Sequence, residues 1–515
     1  MMKKRIAALA AVFVLVFAAA CGNNAPGGVP GAGGADRDSI TILVPTLPGN
    51  LVPWASNDVP TNEVKRLIFD RLFVPEYTNM SPNPERQLAV SWSQPDARTT
   101  NIEIRRGVYF HNGDPLTAHD VRFSLMEASV STFSMAFLGI IEDVEVHDDF
   151  NLTIRTSMDF VPIISHLTLL PASIVNARLF QEIGMEAYAA RPIGSGAWMF
   201  DEFIIGDRLE LVANPNYWGG SPQLERLTWR LVAEPSVRLM EVMAGTADVA
   251  MAVAPLDISL AEADPSVVLH RGLNLISHYI GFNVERPYIS NRLVRRAISY
   301  AIDVDAIFNA VFMGSGVPLH GPFPPQVWGF YEMEPIPFNL DRARELLVEA
   351  GYPNGFSTTI LWSTGTPANG TISEMVQFTL AQIGINVEII SMEWAAYMPF
   401  TEAGQHDMFV LSRGSTTGDP DYSTWPMFHS ESTPGAGART FISNPQLDAL
   451  LDAGRVETDP ARRLEIYRDV QLLLGYEAPW VFLRAGEHLV ASTPNLRGLS
   501  INPAGHHDWS RVWFE

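Results

Sequence analysis

An α/β fold of two lobes joined by a hinge is predicted by three observations. The chain has 515 residues, too many for one ordinary hydrophobic core, so two or more domains are expected. Between His270 and Ile302 the apolar period changes. Leu273, Leu275 and Tyr279 to Phe282 read as a strand, and after Pro287 and Asn291 the residues Val294, Ala297, Ile298, Ala301 and Ile302 fall on one helical face, with Arg292, Arg295 and Arg296 outside it. A second extended run, Trp480 to Ser492, would carry the chain back. Two such crossings, with long α/β sequence on either side, make a hinge.

Composition narrows the function. With 47% hydrophobic and 18% charged residues the chain is globular rather than disordered. A formal charge of −22 argues against nucleic acid, because no basic stripe offsets it. Lys3, Lys4 and Arg5 precede an apolar run from Ile6 to Ala20, and Ala18-Ala19-Ala20 lead into Cys21. This is a signal peptide over residues 1–20, too short for a comfortable membrane span. Cys21 is the single cysteine, so no intramolecular disulfide is possible. Its position resembles a bacterial lipobox, with Ala18 where Leu is usual, and diacylglycerol there would supply the two chains that stable anchoring needs. Cleavage removes three cations and leaves −22 − 3 = −25. Residues 21–38, rich in Gly, Pro and Asn, form a flexible tether.

The elements follow in order. SITILVP from Ser39 is a strand, and LPGNLVPW is a turn-rich loop ending in Trp54. Val64, Leu67, Ile68 and Leu72 give Thr61 to Phe73 a helical spacing, with Thr61 or Asn62 as cap. Val74 to Ala190 reads as short strands and turns with few helices, a subdomain inserted into the first lobe. Within it Thr117 and Asp120 form a capping-box-like start to a helix at Val121 to Ser129. His111 and His119 lack the spacing of a metal pair and read as solvated surface histidines. In the second lobe, Asp341 or Asn339 caps a helix that Gly351 ends. Asp459 caps another, with Pro460 in its first turn.

One segment says more. In RPIGSGAWMFDEFIIGDRLELVANPNYWGG (Arg191 to Gly220), Gly194, Gly196 and Gly206 punctuate two alternating strands before an aromatic turn. This segment resembles the signature of the family 5 extracellular solute-binding proteins of ABC importers, the peptide, glutathione and nickel binders. The likeness continues through SVRLMEVMAGTADVA, YIGFN, RRAISYAIDVDAI, LDRARELLVEAGYPNGF and DPARRLEIYRDVQ, in the same order. It implies a periplasmic-binding-protein-like fold closing on ligand. Lobe one would be residues 39–271, with the insert at about 74–190, plus a C-terminal return at 491–515. Lobe two would be 272–490. The tail INPAGHHDWSRVWFE would return to lobe one as a strand, and a metal at His506, His507 and Asp508 is not expected, because adjacent strand residues face opposite ways.

The resemblance implies an oligopeptide ligand held between the lobes, delivered to membrane permease and ATPase subunits by a lipid-anchored monomer without cofactor. Glutathione, another small peptide or a nickel complex is the second reading. Residues Trp54, Tyr279, Asn283, Trp394 and Tyr397, with Arg413, Ser415, Thr416, Asp419, Tyr422 and Trp425 from the loop Ser412 to Phe428, are expected to line the pocket. Dipeptide-binding relatives hold the ligand amine and carboxylate with an Asp and an Arg, at positions that look like Thr416 and Ser363 here. Both anchors are missing, so Arg413 is the candidate for the carboxylate. A secreted hydrolase is the competing class. The chain has no HExxH, CxxC or phosphate loop, and Gly194-Ser195-Gly196 and Gly314-Ser315-Gly316 lack the first glycine of a nucleophile elbow.

Overall fold

The two crossing runs form the strands Val268–Phe282 and Trp480–Ser492, paired antiparallel from Val268↔Ser492 to Gly281↔Trp480. In this computed structural model the described residues are 37–515 without 57, 77–81, 433–437 and 506. The segment expected to be a signal peptide, Cys21, most of the expected tether and His506 therefore lie outside them. Around the crossing pair runs one mixed sheet in the order Ile385–Met392, Phe356–Ser363, Met408–Gly414, Val268–Phe282, Trp480–Ser492, Val249–Ala250, Ser39–Val44, Arg226–Leu231, Arg208–Ala213 and Trp198–Ile204. Val317–Pro318 adds a short eleventh strand beside Trp480–Ser492. Gly316 before it has φ +88°, and a Cβ there would lie 2.1 Å from the Ala485 carbonyl oxygen. Only glycine permits that approach.

Each lobe contributes parallel strands whose C-terminal ends converge on the crossing. Ser39–Val44 is parallel to Arg226–Leu231 and to Val249–Ala250. Phe356–Ser363 is parallel to Ile385–Met392 and Met408–Gly414. In α/β sheets, ligands bind outside these carboxyl ends. The register of the crossing pair shifts between Leu273 and Ser277 and again between His278 and Tyr279, the irregularity that lets a strand bend. An antiparallel sheet of Ala89–Asp96, Thr99–Ile104, Asn151–Thr156 and Ile141–Asp148 stands apart from the main one.

Packing follows this division. One core gathers Ile42, Leu72, Leu125, Trp198, Trp229 and Trp509, joining the first lobe, its extra sheet and the tail. In the second lobe Ile280, Val294, Leu346 and Val376 pack on one face of the sheet. Tyr279, Tyr397, Phe428, Tyr467 and Trp480 pack on the other.

Local chemistry corrects several expectations. The first helix is Val59–Ile68, capped by Asp58, whose side chain accepts from the Thr61 N–H at 3.0 Å. Pro60 in its first turn suits that earlier start. It ends before Phe69 because the chain there turns extended. A helix missed in the insert, Ala177–Ala190, has Asn176 as cap and non-helical Gly184 (φ 78°) inside it, which blurred the period. Its neighbour Ala118–Val130 does carry the Thr117–Asp120 capping box. Asn339, not Asp341, caps Leu340–Glu349. His111 is no solvated histidine. Its Nε2 is 3.0 Å from the Gly196 oxygen, its Nδ1 accepts from the Gly194 N–H, and burial pushes it down to about 4. The tail forms only the two-residue strand Trp513–Phe514, paired with Leu496–Arg497 outside the main sheet. Buried Trp509 and Val512 hold it on the first core.

Candidate ligand site between the lobes

Where Ser39–Val44 and Val249–Ala250 end against the second crossing strand there is a cavity of about 320 Å³. Val44, Pro48, Val64, Met251 and Leu489 form its apolar wall, and Glu63, Arg484, Glu487, His488 and His507 its polar part. Most of these charges are answered locally. Burial works against the Glu487 charge, but Arg271, 2.8 and 3.2 Å from its two oxygens, holds the carboxyl below its usual range. Arg484 donates to the Ser315 oxygen at 2.5 Å and lies over the Phe312 ring, and burial lowers it to about 10. His507 Nδ1 accepts the Asn502 N–H at 3.1 Å, so a neutral ring carries its proton on Nε2. Burial pushes His507 down to about 3 and lowers His488 too. Glu63 is different. Burial raises it to about 8, against the weaker pull of the Trp509 indole and the Arg66 charge. Its Oε1 has no hydrogen-bond partner.

The second feature is direct contact between the lobes. Tyr422, on the Pro420–Phe428 helix, stacks on Phe137 of the insert with centroids 4.9 Å apart. Asp421 takes a hydrogen bond from Arg455 Nε at 2.8 Å and lies 3.8 Å from His166 Nε2. The Arg455 guanidinium lies over Trp425 and Phe160, and its backbone oxygen accepts the Val161 N–H. The lobes are closed on each other.

Four of the side chains expected to meet ligand are committed elsewhere. Trp54 is 4% exposed and packs on Phe123 and Phe180 in the first core. Tyr279 stacks on Trp480 at 3.5 Å inside the second lobe. The Asn283 amide donates to the Gly404 and His406 carbonyls, tying down a turn. Asp419 takes two hydrogen bonds from Arg463, at 2.7 and 2.8 Å. Tyr397 is buried with an unpartnered hydroxyl, stacked on half-exposed Trp394. Tyr422 and Trp425 sit at the lobe contact. Thr416 is half-buried on the loop before the Pro420–Phe428 helix.

Arg413 pairs with neither Asp419 nor Asp421. Its Nη2 donates to the Tyr422 oxygen at 2.9 Å, and its buried Nε has no partner. Ser415 Oγ and Ser277 Oγ are also buried without partners, and Ser277 faces Arg413 across the strands. Buried polar groups are normally satisfied, and these three atoms are exceptions grouped beside the Pro420–Phe428 helix. We expect Arg413→Ala to weaken a carboxylate ligand by roughly 2–5 kcal/mol and its C-terminal amide far less. Titration calorimetry on both ligands decides it; equal losses would remove Arg413 from the site.

Sequence reasoning missed Glu63, Arg484, Glu487, His488 and His507. Arg484, Glu487 and His488 were visible as polar interruptions in an otherwise apolar crossing strand. Glu63 gave no signal, since an acid early in a helix is ordinary, and His507 fell in a tail read as structural.

Comparison with known proteins gives the following. The family described as "Bacterial extracellular solute-binding proteins, family 5 Middle" matches residues 83–435. Heme-binding protein A of Haemophilus influenzae is 28% identical over 478 residues, covering 86% of each chain. Glutathione-binding protein GsiB of Pectobacterium atrosepticum is 29% identical over 483 residues, covering 91% of this chain and 92% of that one. Among solved structures, HbpA2 from Haemophilus parasuis matches with a TM-score of 0.84 at 26% identity, over 93% of this chain and all of its own. The binding protein DppA from Helicobacter pylori, in complex with peptide STSA, matches with a TM-score of 0.78 at 25% identity, over 93% of this chain and 98% of its own.

Proposed function

The chain belongs to the family 5 bacterial extracellular solute-binding proteins, and from that premise we propose that it is the substrate-binding component of an ABC importer that captures short peptides. Relatives that bind solutes rather than transform them support a binding role over hydrolysis. With the lobes divided near residues 272 and 490, and the insert at about 74–190, the hinge cavity lies where the two halves meet.

What carries the peptide reading is likeness to relatives that bind peptides: the fold of DppA in complex with peptide STSA, at 25% identity, and glutathione-binding protein GsiB at 29% identity. The sequence favours oligopeptides; the closed cleft favours their short end, the size of glutathione. The test is thermal unfolding with dipeptide, tripeptide and pentapeptide pools and with glutathione. A ligand at about 100 times its Kd should stabilise by about 2.7 kcal/mol. Mass spectrometry should recover that ligand unchanged. Stabilisation by none of these probes would refute the reading.

The same proposal places the protein outside the cytoplasm, as a monomer held to the membrane through lipid on Cys21 and handing ligand to permease and ATPase subunits. Cys21→Ala should move it from the membrane fraction to the soluble one. Unchanged membrane association would discard the anchor.

A further inference from the structure

We propose that the hinge cavity receives an acidic side chain of the bound ligand, so that short peptides carrying Glu or Asp are the preferred guests; this rests on the peptide reading above. Three side chains lining the cavity each carry a nitrogen-bound hydrogen with no acceptor among the described residues: Trp229 Nε1, Arg484 Nε and His507 Nε2. All three residues are buried, at 2, 9 and 1% exposed. Trp229 stands on a first-lobe strand, Arg484 on a crossing strand and His507 in the tail.

Each of these nitrogens is a donor by its chemistry. Indole and guanidinium nitrogens keep their hydrogens across the range in which proteins fold. For His507 the tautomer decides. Its Nδ1 accepts the Asn502 N–H at 3.1 Å, which leaves the ring proton on Nε2.

The cavity's own acids do not absorb them. Among the described residues these acids are Glu63 and Glu487. Glu487 is taken by Arg271, 2.8 and 3.2 Å from its two oxygens, and by the Ser315 hydroxyl. Glu63 meets none of the three donors, and its Oε1 is without a partner too. Burial raises Glu63 to about 8, so at pH 7 it is largely neutral and repels no anion. An unsatisfied buried donor is costly, and three around one space of about 320 Å³ ask for one acceptor-rich group. A carboxylate fits, because it only accepts, through two oxygens, and its charge is answered by Arg484. An ammonium would add donors to donors, and a neutral amide brings one oxygen with two further donors. The terminal carboxylate of the ligand is the one expected at Arg413, so the acid placed here is a side chain.

Titration calorimetry at pH 7 with Glu-Ala-Ala, Ala-Glu-Ala and Ala-Ala-Glu, each against its Gln counterpart, is the test. At least one Glu peptide should bind wild type on the order of tenfold tighter than its Gln counterpart, the worth of hydrogen bonds to a charged group. Two variants remove one donor and little else. Trp229→Phe keeps an aromatic ring against Trp509, and His507→Asn keeps an acceptor for the Asn502 N–H. Each should cut the preference by about threefold or more and leave the Gln peptide's affinity within about twofold. Equal binding of Glu and Gln peptides by wild type, or a preference intact in both variants, would overturn the assignment and leave the peptide reading standing. Stabilisation by acetate with no preference among the peptides would give the cavity to a free anion and overturn the assignment as well. The wild-type comparison decides even if a variant folds poorly. Binding of none of the six peptides would overturn the peptide reading and this inference with it.

Discussion

Replacing Asp419 with alanine should destabilise the protein by about 3–5 kcal/mol, the usual cost of removing one partner from a buried ion pair. Arg463 donates to both Asp419 oxygens from a position 6% exposed, with its Nε on the Gly454 carbonyl. Alanine would strand that cation between Trp328 and Tyr467. It would also remove the acceptor that caps the Pro420–Phe428 helix at the Asp421 N–H, 2.9 Å away. Burial works to raise the Asp419 carboxyl, but the Arg463 charge prevails and holds it below its usual range. A carboxyl depressed in the folded state contributes stability above its unfolded pKa of about 3.9 and loses it as pH falls through the folded value. The difference between wild type and Asp419→Asn in denaturant melts should therefore shrink below about pH 4. An Asp419→Ala protein with stability within 1 kcal/mol of wild type and no ligand affinity would return this residue to the binding site.

The second large effect concerns the closed state. Arg455 Nε satisfies Asp421, which is 1% exposed beneath the lobe contact. Another neighbour of the carboxylate is His166. Its Nδ1 faces the Phe137 carbonyl at 2.9 Å and therefore donates, leaving Nε2 a bare lone pair toward Asp421 when the ring is neutral. Burial lowers His166 against the pull of Asp421, which favours that neutral form. Arg455→Ala thus leaves a buried carboxylate against a lone pair, and removes a cation stacked between Trp425 and Phe160. A cost of about 2–4 kcal/mol falls on the closed arrangement, since opening rehydrates Asp421. Each 1.4 kcal/mol is tenfold in the equilibrium, so the open-to-closed ratio should rise roughly 30-fold or more. Small-angle scattering of the unliganded protein should give a larger radius of gyration for Arg455→Ala than for wild type. Equal radii would show that this contact does not hold the lobes together.

The fold was legible because its signals are local. The period change at His270 to Ile302 marks a real strand and the Arg292–Ala301 helix after it, and Asp459 with Pro460 does start a helix. Misjudged elements were those where one residue outweighed the period, as Asp58 did for the first helix and Gly184 for Ala177–Ala190. The site was far less legible. Tyr279, Asn283 and Asp419 look like ligand-facing residues because polar and aromatic side chains near a cleft usually are. Their partners, Trp480, His406 and Arg463, come from distant parts of the sequence, so only the folded chain shows that they are spent. Glu63 is the converse: ordinary in sequence, it becomes unusual only once the cavity surrounds it.

The shifted register in the crossing strands has a mechanical meaning. One sheet spans both lobes, with a built-in fulcrum between Leu273 and Ser277, and Tyr422, which meets Phe137, sits close beside it, hydrogen-bonded to Arg413, the cross-strand partner of Ser277. The fulcrum is also a phase marker. Strand side chains alternate with a period of two, so deleting one residue from the bulge would invert every position after it. Tyr279, now against Trp480, would exchange faces with Ile280, now in the opposite core. The bend and the correct facing of the whole second lobe are thus the same few residues, and one cannot be retuned without the other.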